Sequence, residues 1–446
     1  MRQERTVQAS IFDLFAGHEI GRELKAMSQW LDEHPALIGL VAGDLRRRGI
    51  KETGRQGLPA ESVLRCGVLK QHRQLSYEEL AFHLEDSASF RAFARLSLSW
   101  TPKKSVLHDT ISTIRAETWE AINRAVLVSA REEKIEPGRV VRLDSTVTTA
   151  LMHDPSDSSL LWDAVRVLVR LLQEADTLIG GSLVWRDHRR AAKKRARAIK
   201  FTRGRPNRVE HYRELLKLTR ATLAYADQAT AQLWQVPDPM AVTLWQAELH
   251  HYRPLVERII AQTERRVLHG EAVPASDKIV SLFEPHADII VKGSRDVEYG
   301  HKLNLTTGKS GLLLDLVIEA GNPADSERFL PMLERHIAFY GEAPRQAAAD
   351  GGFASRHNLS QAKALGVHDM AFHKKVGLRI EDMVKSSWVY RKLRNFRAGI
   401  ESDISCLKRA YGLARCTWRG LGHFRAYVWS AVVAYNLALF ARLKPA

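Results

Sequence analysis

Cysteine is scarce: three residues in 446, at positions 66, 406 and 416. None belongs to a Cys-x-x-Cys pair, which argues against a finger-type structural zinc site, and their odd number and wide spacing argue against a disulfide scaffold. Long apolar runs are also scarce. The most apolar stretch, YVWSAVVAYNLALFA (Tyr427–Ala441), is shorter than the roughly 20 residues of a membrane span and carries Asn436, so it reads as a buried helix. The first residues, MRQERTVQASIFDLF, lack the apolar centre of a signal peptide. A cytoplasmic protein without membrane contact is expected. Acidic residues are outnumbered: 51 Asp and Glu against 67 Lys and Arg leave a net charge of +16. A surplus of that size suits a polyanionic partner, with nucleic acid ahead of an anionic membrane.

What is present is an ordinary apolar fraction, 45% of residues, enough to build substantial cores. Residues 1–134 are patterned as helices. Apolar residues recur at three- and four-residue spacing over Ile20–Leu31 and Pro35–Arg47, and Ser76-Tyr77-Glu78-Glu79 is a capping-box start. A turn at Trp100-Thr101-Pro102 leads into KKSVLHDTISTIR, with Lys103 and Lys104 at its start. Short helices split by tight turns suit a helix-turn-helix module that binds DNA through those lysines.

At Arg139 the period changes to the alternation of a strand, VVRLDSTVTTA. Helical patterning returns from Ser156 to about Leu268. Within it, Arg186–Arg208 has 11 Lys or Arg among 23 residues and one acid, Asp187. Like charges packed at that density repel on a plain surface helix, so Arg189, Arg190, Lys193, Lys194 and Arg195 are expected to contact phosphates. Beyond Lys278 come four strand-like runs, IVSLF, DIIVKG, HKLNLTT and GLLLDLVIEAG, followed by strand–helix alternation. The expected organisation is a helical region 1–134, the first part of a mixed α/β domain over 135–155, a basic helical insertion over 156–276, and the rest of that domain over 277–446.

Three carboxylates stand where chemistry is placed. Asp144 lies at the end of an apolar strand, Asp350 follows a strand and precedes Gly351-Gly352, and Glu401 lies within a helix. Each alone has an ordinary explanation as a cap, a turn residue or a surface ion pair. The helix around Glu401 is more informative, because Arg394, Arg397, Glu401 and Lys408 fall on one face at spacings of three, four and seven. One acid among three bases suits a metal ligand beside phosphate-binding cations. Two Mg²⁺ ions, with Mn²⁺ as a substitute, require hard oxygen donors such as Asp144, Asp350 and Glu401, and a pair of such ions stabilises both the attacking and the leaving oxygens of a phosphodiester. Lys302, after His301 on a strand, is a further candidate for DNA contact. His153, Asp154, Asp157 and Asp163 form a rival acidic group, read mainly as a loop and helix cap. Trp100 and Trp418 are candidates for base stacking or for the core.

These residues resemble the DDE transposases of bacterial insertion sequences, whose catalytic domain is RNase H-like. RVVRLDST, QAAADGGFAS and FRAGIESDISCLKR match the three acidic places of that family, and the resemblance covers most of the chain. Arg397, Glu401 and Lys408 fit the spacing of a Tyr-Arg-Glu-Lys signature. Arg394 stands where that branch has Tyr, so its hairpin intermediate is not carried over. Asp144 and Asp350 lie 206 positions apart and Asp350 and Glu401 only 51, which puts the insertion between the first two acids. The resemblance implies a transposase with an RNase H-like mixed sheet, a helical insertion and an all-α N-terminal region that binds the terminal inverted repeats. It further implies cleavage of double-stranded DNA, transfer of the 3′-OH to target DNA, and a homodimer that pairs two ends in a bacterial, nucleoid-associated setting. A metal-dependent nuclease or resolvase without strand transfer, or a catalytically silent DNA-binding protein, would share much of this sequence pattern.

Overall fold

The computed structural model describes residues 17–47, 57–97, 100–292, 296–373 and 377–444. The chain divides into two compact units, residues 1–150 with 301–446 and residues 151–300.

In the first unit, helices α1 (Glu19–Glu33), α2 (Ala36–Arg47), α3 (Ala60–His72), α4 (Tyr77–Asp86), α5 (Ala88–Phe93), α6 (Lys104–Ile111) and α7 (Ala116–Glu132) precede strand β1 (Val140–Thr149). The capping box starts α4: Ser76 Oγ accepts the Glu79 N–H at 3.1 Å and Glu79 Oε2 accepts the Ser76 N–H at 2.7 Å. The second unit holds α8 (Asp157–Leu178), α9 (Arg189–Phe201), α10 (Arg205–Gln232) and α11 (Pro239–Thr263), then β2 (Asp288–Lys292) and the first residues of β3 (Asp296–Gly308). The rest of β3 belongs to the first unit, with β4 (Leu313–Ile318), α12 (Asp325–Tyr340), β5 (Gln346–Ala349), α13 (Arg356–Ala364), β6 (Asp369–Phe372), α14 (Ile380–Met383), α15 (Ser387–Ala410) and α16 (Leu421–Leu443).

The sheet runs β2-β3-β1-β5-β6, with β4 paired to β3. β3 is antiparallel to β2 and β4, and β1, β5 and β6 are parallel. Helices α1–α7, strands β1 and β3–β6, and α16 share one apolar core. α16 is the apolar run noted in the sequence. Its length and composition would allow it to cross a membrane, yet it lies mostly buried against α7, α3 and α1. Asn436 explains its own place in that core. Its Oδ1 accepts the Leu313 N–H at 2.9 Å and its Nδ2 donates to Leu313 O at 2.7 Å, so one side chain satisfies backbone groups of β4 that face away from β3.

One expected strand is absent. IVSLF forms no ladder, because Gln262 takes the ladder's part: its Oε1 accepts the Ile279 N–H at 2.8 Å and its Nε2 donates to Ile279 O at 3.1 Å. Ile279 and Leu282 are nonetheless buried in the core of the second unit.

Candidate active site

β1 and β5 pair in parallel with Leu143 opposite Ala349, so the residues that follow, Asp144 and Asp350, emerge side by side. Asp144 continues within its strand and accepts the Ser145 N–H at 2.8 Å. Asp350 begins the short turn Gly351–Phe353, but its carboxylate caps nothing there. Gly352 leaves room for Asp325 rather than for a ligand: an added Cβ would meet Asp325 Oδ2 at 2.8 Å.

α15 packs across β1, β5 and β6 and supplies the third acid. Arg397 gathers all three carboxylates. Its Nη2 lies 2.8 Å from Asp144 Oδ2 and 3.5 Å from Asp350 Oδ1, and its Nη1 lies 2.7 Å from Glu401 Oε1. The Arg397–Glu401 pair that the i,i+4 spacing allowed is therefore real, but it is one arm of a larger cluster. Side-chain exposure climbs from 12% at Asp144 through 40% at Asp350 to 67% at Glu401, so the cluster opens to solvent on the Glu401 side. Burial pushes the Asp144 carboxyl above its ordinary range; Arg397 and the Ser145 N–H oppose the rise, and the two neighbouring acids add to it.

Three carboxylates without His or Cys are the donors a hard divalent cation takes. Their present arrangement is centred on the guanidinium: among the described residues, no three His, Cys, Asp or Glu side chains converge as a metal cage. A single positive group between three acids offsets the repulsion that a cation would otherwise relieve. Arg397 Nε is buried with no hydrogen-bond partner, so this guanidinium is not fully satisfied where it lies.

The sequence reading missed the device that seats α15. Arg142, two residues before Asp144 on the same strand face, donates from Nε to Thr307 Oγ1 at 2.9 Å, from Nη1 to Phe396 O at 2.9 Å and from Nη2 to Asp403 Oδ2 at 2.6 Å. A Cβ on Gly399 would run into that guanidinium, which is why glycine stands at mid-helix. β1 and α15 are thus joined by two reciprocal ion pairs, Arg142–Asp403 and Asp144–Arg397. The available signal was a charged residue inside the apolar run VVRLD.

The other candidates are placed differently. Arg394 is exposed on α15, and Lys408 is half-buried near its end. Lys302 is buried and tied to Pro323 O at 2.7 Å and Asp325 Oδ1 at 2.6 Å, which gives it a local structural role in place of the expected reach toward DNA. His301 contacts Glu319 O and the Phe424 ring. Lys103 is exposed at the N-cap of α6, while Lys104 pairs with Glu78 at 2.9 Å. Trp418 is buried and Trp100 is 39% exposed.

Within the second unit, Arg189 pairs with Asp187 and Arg195 with Glu214. Arg190, Lys193, Lys194 and Arg197 are exposed along one face of α9 and line a groove of about 790 Å³. Ala192 and Ile199 are buried on the helix's other side. Asp157 is held by Arg266 at 3.0 Å, and Asp163 pairs with Arg166, while Ser156 caps α8; these contacts make that acidic group structural.

Residues 292–437 match the family described as a transposase DDE domain, and residues 15–117 match the transposase domain DUF772. No curated protein and no solved structure matches the chain.

Proposed function

The chain belongs with the insertion-sequence DDE transposases, and from that premise we propose that Asp144, Asp350 and Glu401 form its site of DNA cleavage and strand transfer. The observation that carries the reading is the convergence of three acids, one within β1, one just after β5 and one on α15, on the single guanidinium of Arg397. The domain is read as RNase H-like, with β1, β5 and α15 supplying the three acids. Asp144, Asp350 and Glu401 would hold two Mg²⁺ ions, which when bound supply charge stabilisation and an activated water or 3′-OH.

The protein's own residues then have defined tasks. The Ser145 N–H orients Asp144. Arg142 and Asp403 fix where α15 crosses β1, and so where Glu401 stands. The Arg397 guanidinium neutralises the acids until a cation or the DNA phosphate competes for them. Arg394 and Lys408 on α15, Lys103 on α6, and Arg190, Lys193, Lys194 and Arg197 on α9 are proposed to meet DNA phosphates. The substrates are the terminal inverted repeats and target DNA, engaged by a homodimer.

The test is Mg²⁺-dependent cutting and joining of a labelled duplex that carries the element's terminal repeat. Wild-type protein cuts and joins; Asp350→Asn and Glu401→Gln lose at least a thousandfold of both, roughly 4 kcal/mol of barrier, while end binding survives. Normal cutting by either variant would refute the assignment. Cutting without any joined product would leave a nuclease.

A further inference from the structure

A second site lies in the first unit, in a pocket of about 500 Å³ where the end of α3, the start of α4 and the segment after α15 meet. The helical region is fastened to the end of α15 there by Gln71 Nε2, which donates to Tyr411 O at 2.6 Å, and by Gln74, which donates to Arg409 O. Lys70, Tyr77, Lys408, Arg415 and Trp418 are on its wall. The acid on that wall, Glu79, has its carboxylate engaged by the Ser76 N–H in the capping box.

Lys70 is only 6% exposed, and its ammonium lies over two rings, 4.7 Å from the centroid of Tyr77 and 5.9 Å from that of Trp418. Those rings account for a buried cation. They do not account for two further groups. Tyr77 Oη and Trp418 Nε1 are both buried without a hydrogen-bond partner, and Trp418 itself is 8% exposed. An indole N–H can only donate, and a buried donor without an acceptor costs free energy that a ligand would recover. Unmatched donors beside three cationic side chains call for an anion rich in acceptor oxygens.

We propose that this pocket binds a phosphate group of a DNA strand, with Lys70 and the Trp418 N–H donating to its oxygens. The proposal rests on the transposase reading for the source of the phosphate. Placement supports that source: Lys408 follows Glu401 by seven residues on α15, about 10 Å along the helix axis, so a strand leaving the acidic cluster has a second cationic station two turns on. Burial holds the Lys70 ammonium well below its usual value, at about 8, so it is mainly charged at neutral pH and an anion beside it would hold the proton.

The experiment measures binding of a fluorescent duplex to full-length protein across a salt series, and thermal stability with and without inorganic phosphate. Lys70→Met is expected to weaken duplex binding about tenfold and to lower the salt slope by about 0.9. The gap from wild type should begin to close above pH about 8, where Lys70 of the unliganded protein loses its proton. Trp418→Phe removes the N–H together with part of the buried ring, so it should weaken binding in the same direction, and the ligand-free thermal midpoint of both variants, compared with wild type, separates lost binding from misfolding. Wild-type affinity and slope in both variants would overturn the pocket and leave the transposase reading intact. If wild type binds no duplex, but phosphate stabilises it and not Lys70→Met, the pocket stands with free phosphate as its ligand and the DNA reading fails. If neither ligand binds, both fail.

Discussion

At the scale of single residues, Arg397 decides how the acidic cluster exists at all. Asp144 is buried, and a buried carboxylate without a partner is destabilising by about 3 kcal/mol or more. Arg397→Gln should therefore lower the urea midpoint of the protein in the absence of metal, by a margin on that scale, and Mg²⁺ should recover part of the loss by taking over the neutralisation. An unchanged midpoint in the variant would mean the guanidinium is a bystander. The residues of the cluster were legible because residue type and spacing carry them: an acid on each of two strand-like runs and a fixed Arg-Glu spacing on a helix, although β1 runs on past Asp144 to Thr149 and does not end there as the sequence suggested. Arg397's present role was not, because spacing says which face of a helix a side chain occupies and not whether that face is turned to DNA or toward the sheet. The surroundings of Lys302 were hidden for the same reason. Its sequence neighbours look like an exposed strand, and only the fold brings Asp325 and Pro323 to its ammonium.

At the scale of elements, the site depends on how α15 lies on β1. The Arg142 guanidinium reaches β3, a helix carbonyl and Asp403 at once, so it ties α15 to β1 and β3 together. Asp403→Asn keeps the shape and removes the charge. Cleavage is expected to fall roughly ten- to a hundredfold through kcat, since even a small misplacement of catalytic groups costs that much. Duplex affinity should stay unchanged, and partial rescue by Asp403→Glu would separate positioning from a mere loss of folding. Equal loss in affinity and kcat would contradict a positioning role. Most elements could be read from their periods, including β1, β5, β6 and the last two long helices. IVSLF could not. It is β-branched and apolar like a strand, but the amide of Gln262, 17 residues earlier, takes both backbone groups of Ile279, a partner that leaves no trace in local pattern, and Ser281 Oγ accepts the Phe283 N–H.

At the scale of the whole molecule, the chain separates its tasks. The first unit carries the three acids, the pocket proposed to take a phosphate and the device that seats α15. The second carries the exposed basic face of α9, flanked by the local ion pairs Arg189–Asp187 and Arg195–Glu214. The surplus of +16 is thus unevenly used: part of the positive charge is spent on internal pairs, and Arg190, Lys193, Lys194 and Arg197 stand exposed together on one helix face. The central claim is that residues 206 and 51 positions apart in sequence make one metal site. The most direct measurement replaces Mg²⁺ with ferrous iron and lets the radicals it generates cut the nearby backbone. The account predicts cuts near Asp144, Asp350 and Glu401 together, suppressed by excess Mg²⁺ and absent in Asp350→Asn. Cuts confined to another acidic group, such as Asp157 and Asp163, with none at the three acids, would contradict it.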